Sequence, residues 1–171
     1  MTKTKAVVEI ALAILIIAGI WLFSDRITTL QELGYLGVFL IALLSNATIF
    51  FPAPGWAAVI AMGGVLNPYL VGIAAGVGSA FGELTGYAVG EGAASLANKE
   101  FIKQKEMIEK YGSMAIFVLA FIPNPLFDVA GLAAGAIKIG IMKFLIFCML
   151  GRVLRYILLA HLGWLITPYI M

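Results

Sequence analysis

Hydrophobic residues occupy this chain in long blocks. Apolar runs cover residues 6–23, 33–51, 56–66, 69–89, 114–122, 126–137 and 144–166. A helix needs about 20 such residues to cross a bilayer. Runs 69–89 and 144–166 meet that length, while 56–66, 114–122 and 126–137 fall short. The short runs stand beside proline-rich breaks, FPAPG (51–55) and IPNPL (122–126). A short apolar piece, a break and a second apolar piece predict a re-entrant helical hairpin, which enters the bilayer, turns and leaves by the same face. Non-helical backbone at that depth is tolerated only inside protein or beside a wet cavity. The turns are thus assigned to Pro52 and Pro54 in the first hairpin, and to Pro123 and Pro125 in the second.

The two hairpins read as an internal repeat. With Pro52-x-Pro54 laid on Pro123-x-Pro125, Gly64 falls on Gly135 without a gap, and each hairpin precedes one long run. The expected fold is an all-α integral membrane protein of one domain, 1–171. It has an N-terminal span (1–26), a first hairpin-plus-helix repeat (31–90), a cytoplasmic amphipathic linker (91–110) and a second repeat (111–166). The N-terminal run resembles a signal peptide. It is long for one and has no small-residue cleavage site after it, so it is read as a retained transmembrane helix.

Charge fixes the expected orientation. With a cytoplasmic N-terminus, Lys3, Lys5, Lys99, Lys103, Lys105, Lys110, Lys138 and Lys143 all fall on the cytoplasmic side, and Arg26 lies in an outside loop. That satisfies the positive-inside rule. It places the C-terminus outside and gives the repeats inverted topology, as in many transporters. In the linker, Ala94, Ala97, Phe101 and Ile108 share one face, which predicts a helix lying along the interface. Trp21, Trp56, Tyr69, Trp164 and Tyr169 suit an outer aromatic belt.

Composition agrees. The 171-residue chain is 63% hydrophobic with a mean hydropathy of +1.06, well above a soluble domain. A net charge of +2 leaves no footprint for nucleic-acid binding. The lone Cys148 rules out an internal disulfide or a cysteine zinc cluster, and no metal or other cofactor is expected.

Few residues remain for chemistry. Gly72, Gly76, Ser79, Glu83, Gly86 and Gly90 are spaced four and three apart, so they share one helical face. Such a stripe suits close helix packing. Glu83 is different, because a carboxylate inside a span costs on the order of 3 kcal/mol on insertion scales and needs a partner. Tyr87, one turn on, is positioned to donate to it. Asp128 falls in the first turn of the half-helix leaving the second break. There it can cap backbone N–H groups or mark a transport site. Arg152 and Arg155 share a face of the last span. They either neutralise Glu83 and Asp128 as a structural network or grip an anionic headgroup. Ser45, Asn46 and Asn124 lie at the breaks, where satisfying backbone groups is the expected role. Asn124 is also a candidate substrate contact. His161 has no second ligand nearby and reads as a singleton.

These motifs resemble a known family. FPAPG…GG, then GSAFGELTGYAVG, then YGSM…FIPNP…AG…G and a final F…GR are similar to the DedA/VTT superfamily, the SNARE-associated Golgi protein family. The resemblance covers roughly residues 30–160. It implies two facing re-entrant hairpins and movement of lipids between leaflets. Acidic residues are usual around the first hairpin of bacterial members, and Ser45, Asn46 and Trp56 stand there instead. Arginines usually flank the second break, where Ala120 and Leu126 stand here. The chain therefore looks like a divergent branch.

The expected function is a lipid translocase or scramblase of the cell membrane, not an enzyme. It would pass a phosphate-bearing lipid, with protons as possible partners, along a cleft of Glu83, Tyr87, Asn124, Asp128, Arg152 and Arg155. Oligomers are compatible with this reading. The alternatives are a proton- or cation-coupled transporter of a small polar solute and a non-transporting assembly protein.

Overall fold

The computed structural model describes residues 31–47, 55–90, 99–122 and 128–169. For 31–33, 99–101, 104 and 128–130 it describes the backbone alone. The described residues are helical, with no strand. In chain order the helices are α1 (Gln31–Ala47), α2 (Gly55–Val65), α3 (Pro68–Gly82), α4 (Leu84–Gly90), α5 (Lys99–Tyr111), α6 (Ser113–Phe121), α7 (Asp128–Ala136) and α8 (Ile141–Ile166). A 3-10 turn, Thr167–Tyr169, ends the described chain. The N-terminal span, the four turn prolines and Asn124 lie outside the described residues, as does the side chain of Asp128.

α1 and α2 form an antiparallel helical hairpin. At one end Gly55, the first residue of α2, sits against Ser45 and the Ile41 carbonyl of α1. At the other end the Asn67 N–H donates to the Tyr35 hydroxyl at 3.3 Å. At 1.5 Å per residue the 11 residues of α2 reach about 16 Å, half of a hydrocarbon core. The nine residues of α6 and of α7 reach only about 13 Å.

Asn67 starts α3. Its side-chain oxygen accepts from the N–H groups of Tyr69 at 3.0 Å and Leu70 at 3.3 Å, and Pro68 fills the first helical position. The run expected as one helix over 69–89 is not unbroken. α3 ends at Gly82, Glu83 occupies a turn, and α4 carries on. The backbone stays near-helical there, with Glu83 at φ −65° and ψ −17° and its N–H on the Ser79 carbonyl at 3.0 Å. Gly82 and Gly86 flank this point and weaken the helix intrinsically.

α8, with the turn after it, is the one described helix long and apolar enough to cross a membrane. Leu150, Leu154, Leu158 and Leu162 recur every fourth residue on its outer face and are exposed, as suits contact with lipid. The opposite face carries Phe144, Cys148, Arg152, Tyr156 and Ala160, all buried and also four apart.

α3 crosses α8 closely and antiparallel. Gly72 lies on Ile157 and Gly76 on Val153, where a methyl group on either glycine would overlap the α8 backbone. A second seam joins α3 to α1 through Gly78 on Phe39 and Gly82 on Leu43. The short helices α2 and α7 each pack on a neighbour through a pair of glycine contacts. α2 meets α8 at Gly63–Ala160 and Gly163–Ile60, and α7 meets α4 at Gly90–Leu132 and Gly135–Tyr87.

The linker helix, described over Lys99–Tyr111, packs on α6 and α7, while Ala94 and Ala97 lie outside the described residues. Ile108 is its buried anchor, as its place in the apolar face predicts. Gly112, with φ +60°, turns the chain from α5 into α6 in a conformation that favours glycine.

Candidate functional site

Arg152 is a fully buried cation on α8. Two four-residue periods explain its position. On α8 it continues the inward stripe from Phe144 and Cys148 to Tyr156 and Ala160. On α3 and the following turn, Val71, Ala75, Ser79, Glu83 and Tyr87 form a matching row. Where the rows meet, Arg152 Nη2 donates to Glu83 Oε2 at 2.6 Å. Each residue is only 2% exposed. Nη1 donates to Ser79 Oγ at 2.6 Å and to Asn46 Oδ1 of α1. The Asn46 amide is held by its own donation to the Ala42 carbonyl at 2.7 Å. Ser79, Glu83 and Arg152 are the buried polar side chains among the described residues.

The carboxylate faces a third element. A methyl group on Gly131, three residues into α7, would stand 2.6 Å from Glu83 Oε1. The pair therefore sits where α1, α3, α7 and α8 converge. Charge-assisted bonds of this kind are the strong ones, and a buried ion with its bonds made avoids the penalty of an isolated charge. Chemically the site can hold a guanidinium in one orientation, or exchange one of its anionic or neutral acceptors for another.

The other candidate residues divide. Arg155, one turn along α8, is half-buried with its guanidinium 5.8 Å from the Tyr156 ring. Tyr87 does not give its proton to Glu83. Its hydroxyl donates to the Ile139 carbonyl, and its ring packs on Phe144 at 5.0 Å. This fastens α4 to the turn before α8. Asp128 begins α7 as expected, with its backbone at the helix start. Asn124 and the turn prolines lie outside the described residues. His161 Nδ1 lies 2.8 Å from the Ile157 carbonyl, and its ring meets Tyr69 edge-on at 4.6 Å. Among the described residues no His, Cys, Asp and Glu group could hold a metal ion.

Sequence alone gives two residues of the site other roles. Ser79 reads as one of the small packing residues and Asn46 as a partner for backbone groups. Each is an acceptor for Arg152. The four-residue spacing of Ser79 and Glu83 carried a signal for the first. Nothing in the sequence carried one for Asn46, which lies 106 positions from Arg152.

The described residues are helical, with one long lipid-suited helix and a buried ion pair between helices, features that suit a membrane protein. The VTT domain family model matches residues 51–165, more than half of the chain. The protein is a member of the VTT-domain family, which is the DedA/SNARE-associated Golgi protein family. Among curated proteins and solved structures, none matches the chain.

Proposed function

We propose that the protein is a lipid translocase, moving a phosphate-bearing lipid between leaflets past a polar cleft at the meeting of two re-entrant hairpins. In this reading α1–α2 and α6–α7 dip into the bilayer from opposite faces. The N-terminus and α5 are cytoplasmic and the C-terminus lies outside. Arg152 and Arg155 attract the phosphate, while acyl tails remain in lipid. Glu83 balances Arg152 when no headgroup is near, and Asp128 and Asn124 line the second turn. The role is transport, not catalysis.

The observation that carries this reading is the Arg152–Glu83 pair, buried where α1, α3, α7 and α8 converge. Buried charge in a membrane domain is expensive and marks a pathway more often than a packing need. Guanidinium groups suit phosphate because they bind it by two parallel bonds.

The test is reconstitution in liposomes with fluorescent phospholipids, with and without a pH gradient. Arg152→Gln with Arg155→Gln should abolish transfer, with folding checked by gel filtration and thermal melting. Transfer at the normal rate in that folded variant counts against the site. Uptake of a polar solute driven by the gradient, without lipid movement, favours the solute transporter.

The satisfied geometry of the pair favours one rival, a purely structural network in an assembly protein. That rival predicts that Glu83→Gln with Arg152→Gln preserves function.

A further inference from the structure

Among the described residues, most buried apolar side chains fall into two clusters. One holds Val38, Val59, Met62, Val71, Tyr156 and Ala160, built from α1, α2, α3 and the C-terminal half of α8. The other holds Tyr87, Ile108, Leu132, Phe144 and Cys148, built from α4 to α7 and the N-terminal half of α8, with Ala80 from the last turn of α3. Between them lies the polar layer of Asn46, Ser79, Glu83 and Arg152. On α8, Cys148 belongs to one cluster and Tyr156 to the other, with Arg152 midway. Along the crossing row, Ala75 and Tyr87 flank Ser79 and Glu83 in the same way.

We propose that these clusters are two half-bundles that rock against each other, with Glu83 as the hinge of the α3–α4 segment and the Glu83–Arg152 pair as the latch. Two described connections pass through the layer at the core, the interrupted α3–α4 segment and the unbroken α8. α3 gives way to α4 at Glu83, beside Gly82. α8 carries Gly151 next to Arg152, against the backbone of α6 at Phe117. Helix packing follows the same division. α1 packs mainly on α3, and α2 packs on α8. α5 and α7 pack on each other, and α7 packs on α4.

The bonds across the layer are directional. Arg152 reaches Asn46, Ser79 and Glu83, and the Thr85 hydroxyl lies 2.9 Å from the Ala47 carbonyl, joining α4 to the end of α1. Close-packed apolar cores resist shear, whereas an interface of discrete polar bonds has alternative arrangements. Domain closures use hinges of this kind, where a few element-terminal residues absorb the backbone change.

Spin labels test the motion without reference to any substrate. On a Cys148→Ala background, Leu36→Cys reports the first half-bundle and Lys103→Cys the second, both at exposed positions. In nanodiscs, pulsed dipolar spectroscopy should give one main distance for the native latch. Glu83→Gln should add a second, displaced population. One unchanged distance in both proteins overturns the hinge. If Glu83→Gln does not fold, a cross-link decides. Ala47→Cys with Thr85→Cys, joined across the layer, should abolish lipid transfer, and reduction should restore it. Undiminished transfer in the cross-linked protein also overturns the proposal. The cross-link arm rests on the translocase reading. A native protein that moves no lipid sinks that reading and leaves the distance measurement to judge the hinge.

Discussion

Glu83 Oε2 and Arg152 Nη2 stand 2.6 Å apart at the centre of the helix assembly, each residue 2% exposed. The two residues are 69 positions apart in sequence. Their pairing joins the turn between α3 and α4 to the middle of α8.

Removing one partner leaves the other charged and buried. Arg152→Met should therefore destabilise the protein by about 3–5 kcal/mol. Adding Glu83→Gln to that variant should recover part of the loss, since no bare carboxylate remains. Denaturant melts of the purified protein in detergent would measure both. Additive losses would show that the two side chains do not depend on each other.

The seam between α2 and α8 has no room for side chains. A methyl group on Gly163 would overlap the Ile60 carbonyl. Gly163→Val should push the arm off α8 and cost about 1–3 kcal/mol, read as a fall in melting temperature. Gly140→Ala is the control, because nothing lies within 4 Å of that position. Equal stability of the two variants would contradict the packing.

Lys138 adopts φ 54° in the turn between α7 and α8, with its N–H on the Gly135 carbonyl at 3.0 Å. A left-handed conformation strains residues that bear a Cβ. Lys138→Gly should raise stability by about 0.5–1 kcal/mol, by relieving that strain against the extra chain entropy of glycine. Thermal melts at neutral pH provide the comparison. A lower melting temperature than the native protein would reject the account.

The proposed orientation puts α5 on the side of the N-terminus. Cysteines introduced at Lys3 and Lys103 should then react with a membrane-impermeant maleimide from the same face of sealed vesicles. Labelling from opposite faces would remove the inverted-repeat topology. Cys148, buried between helices, should stay unlabelled until the protein is denatured.

The sequence made several elements legible for definite reasons. Proline cannot continue a helix, so the breaks at 52–54 and 123–125 were visible, and described helices end or begin close to both. The glycine row from Gly72 to Gly90 predicted close helix contact, and α8 and α7 lie against it. A second row, Gly78 and Gly82, was equally regular and went unassigned; it receives the carbonyls of α1. The interruption at Glu83 was hidden, since no proline marks it and its hydropathy resembles that of a continuous span.

Sequence by itself determined that the chain is helical and membrane-bound, where its short arms lie, and that Glu83 and Arg152 face inward. Periodicity fixes these properties, because each belongs to one helix alone. Tertiary structure decided which inward groups meet: Asn46 and Ser79 joining Arg152, and Tyr87 turning to Ile139. Such choices depend on where helices cross and how each is rotated against its neighbour, and backbone contacts at glycines set that crossing without leaving a side chain to read.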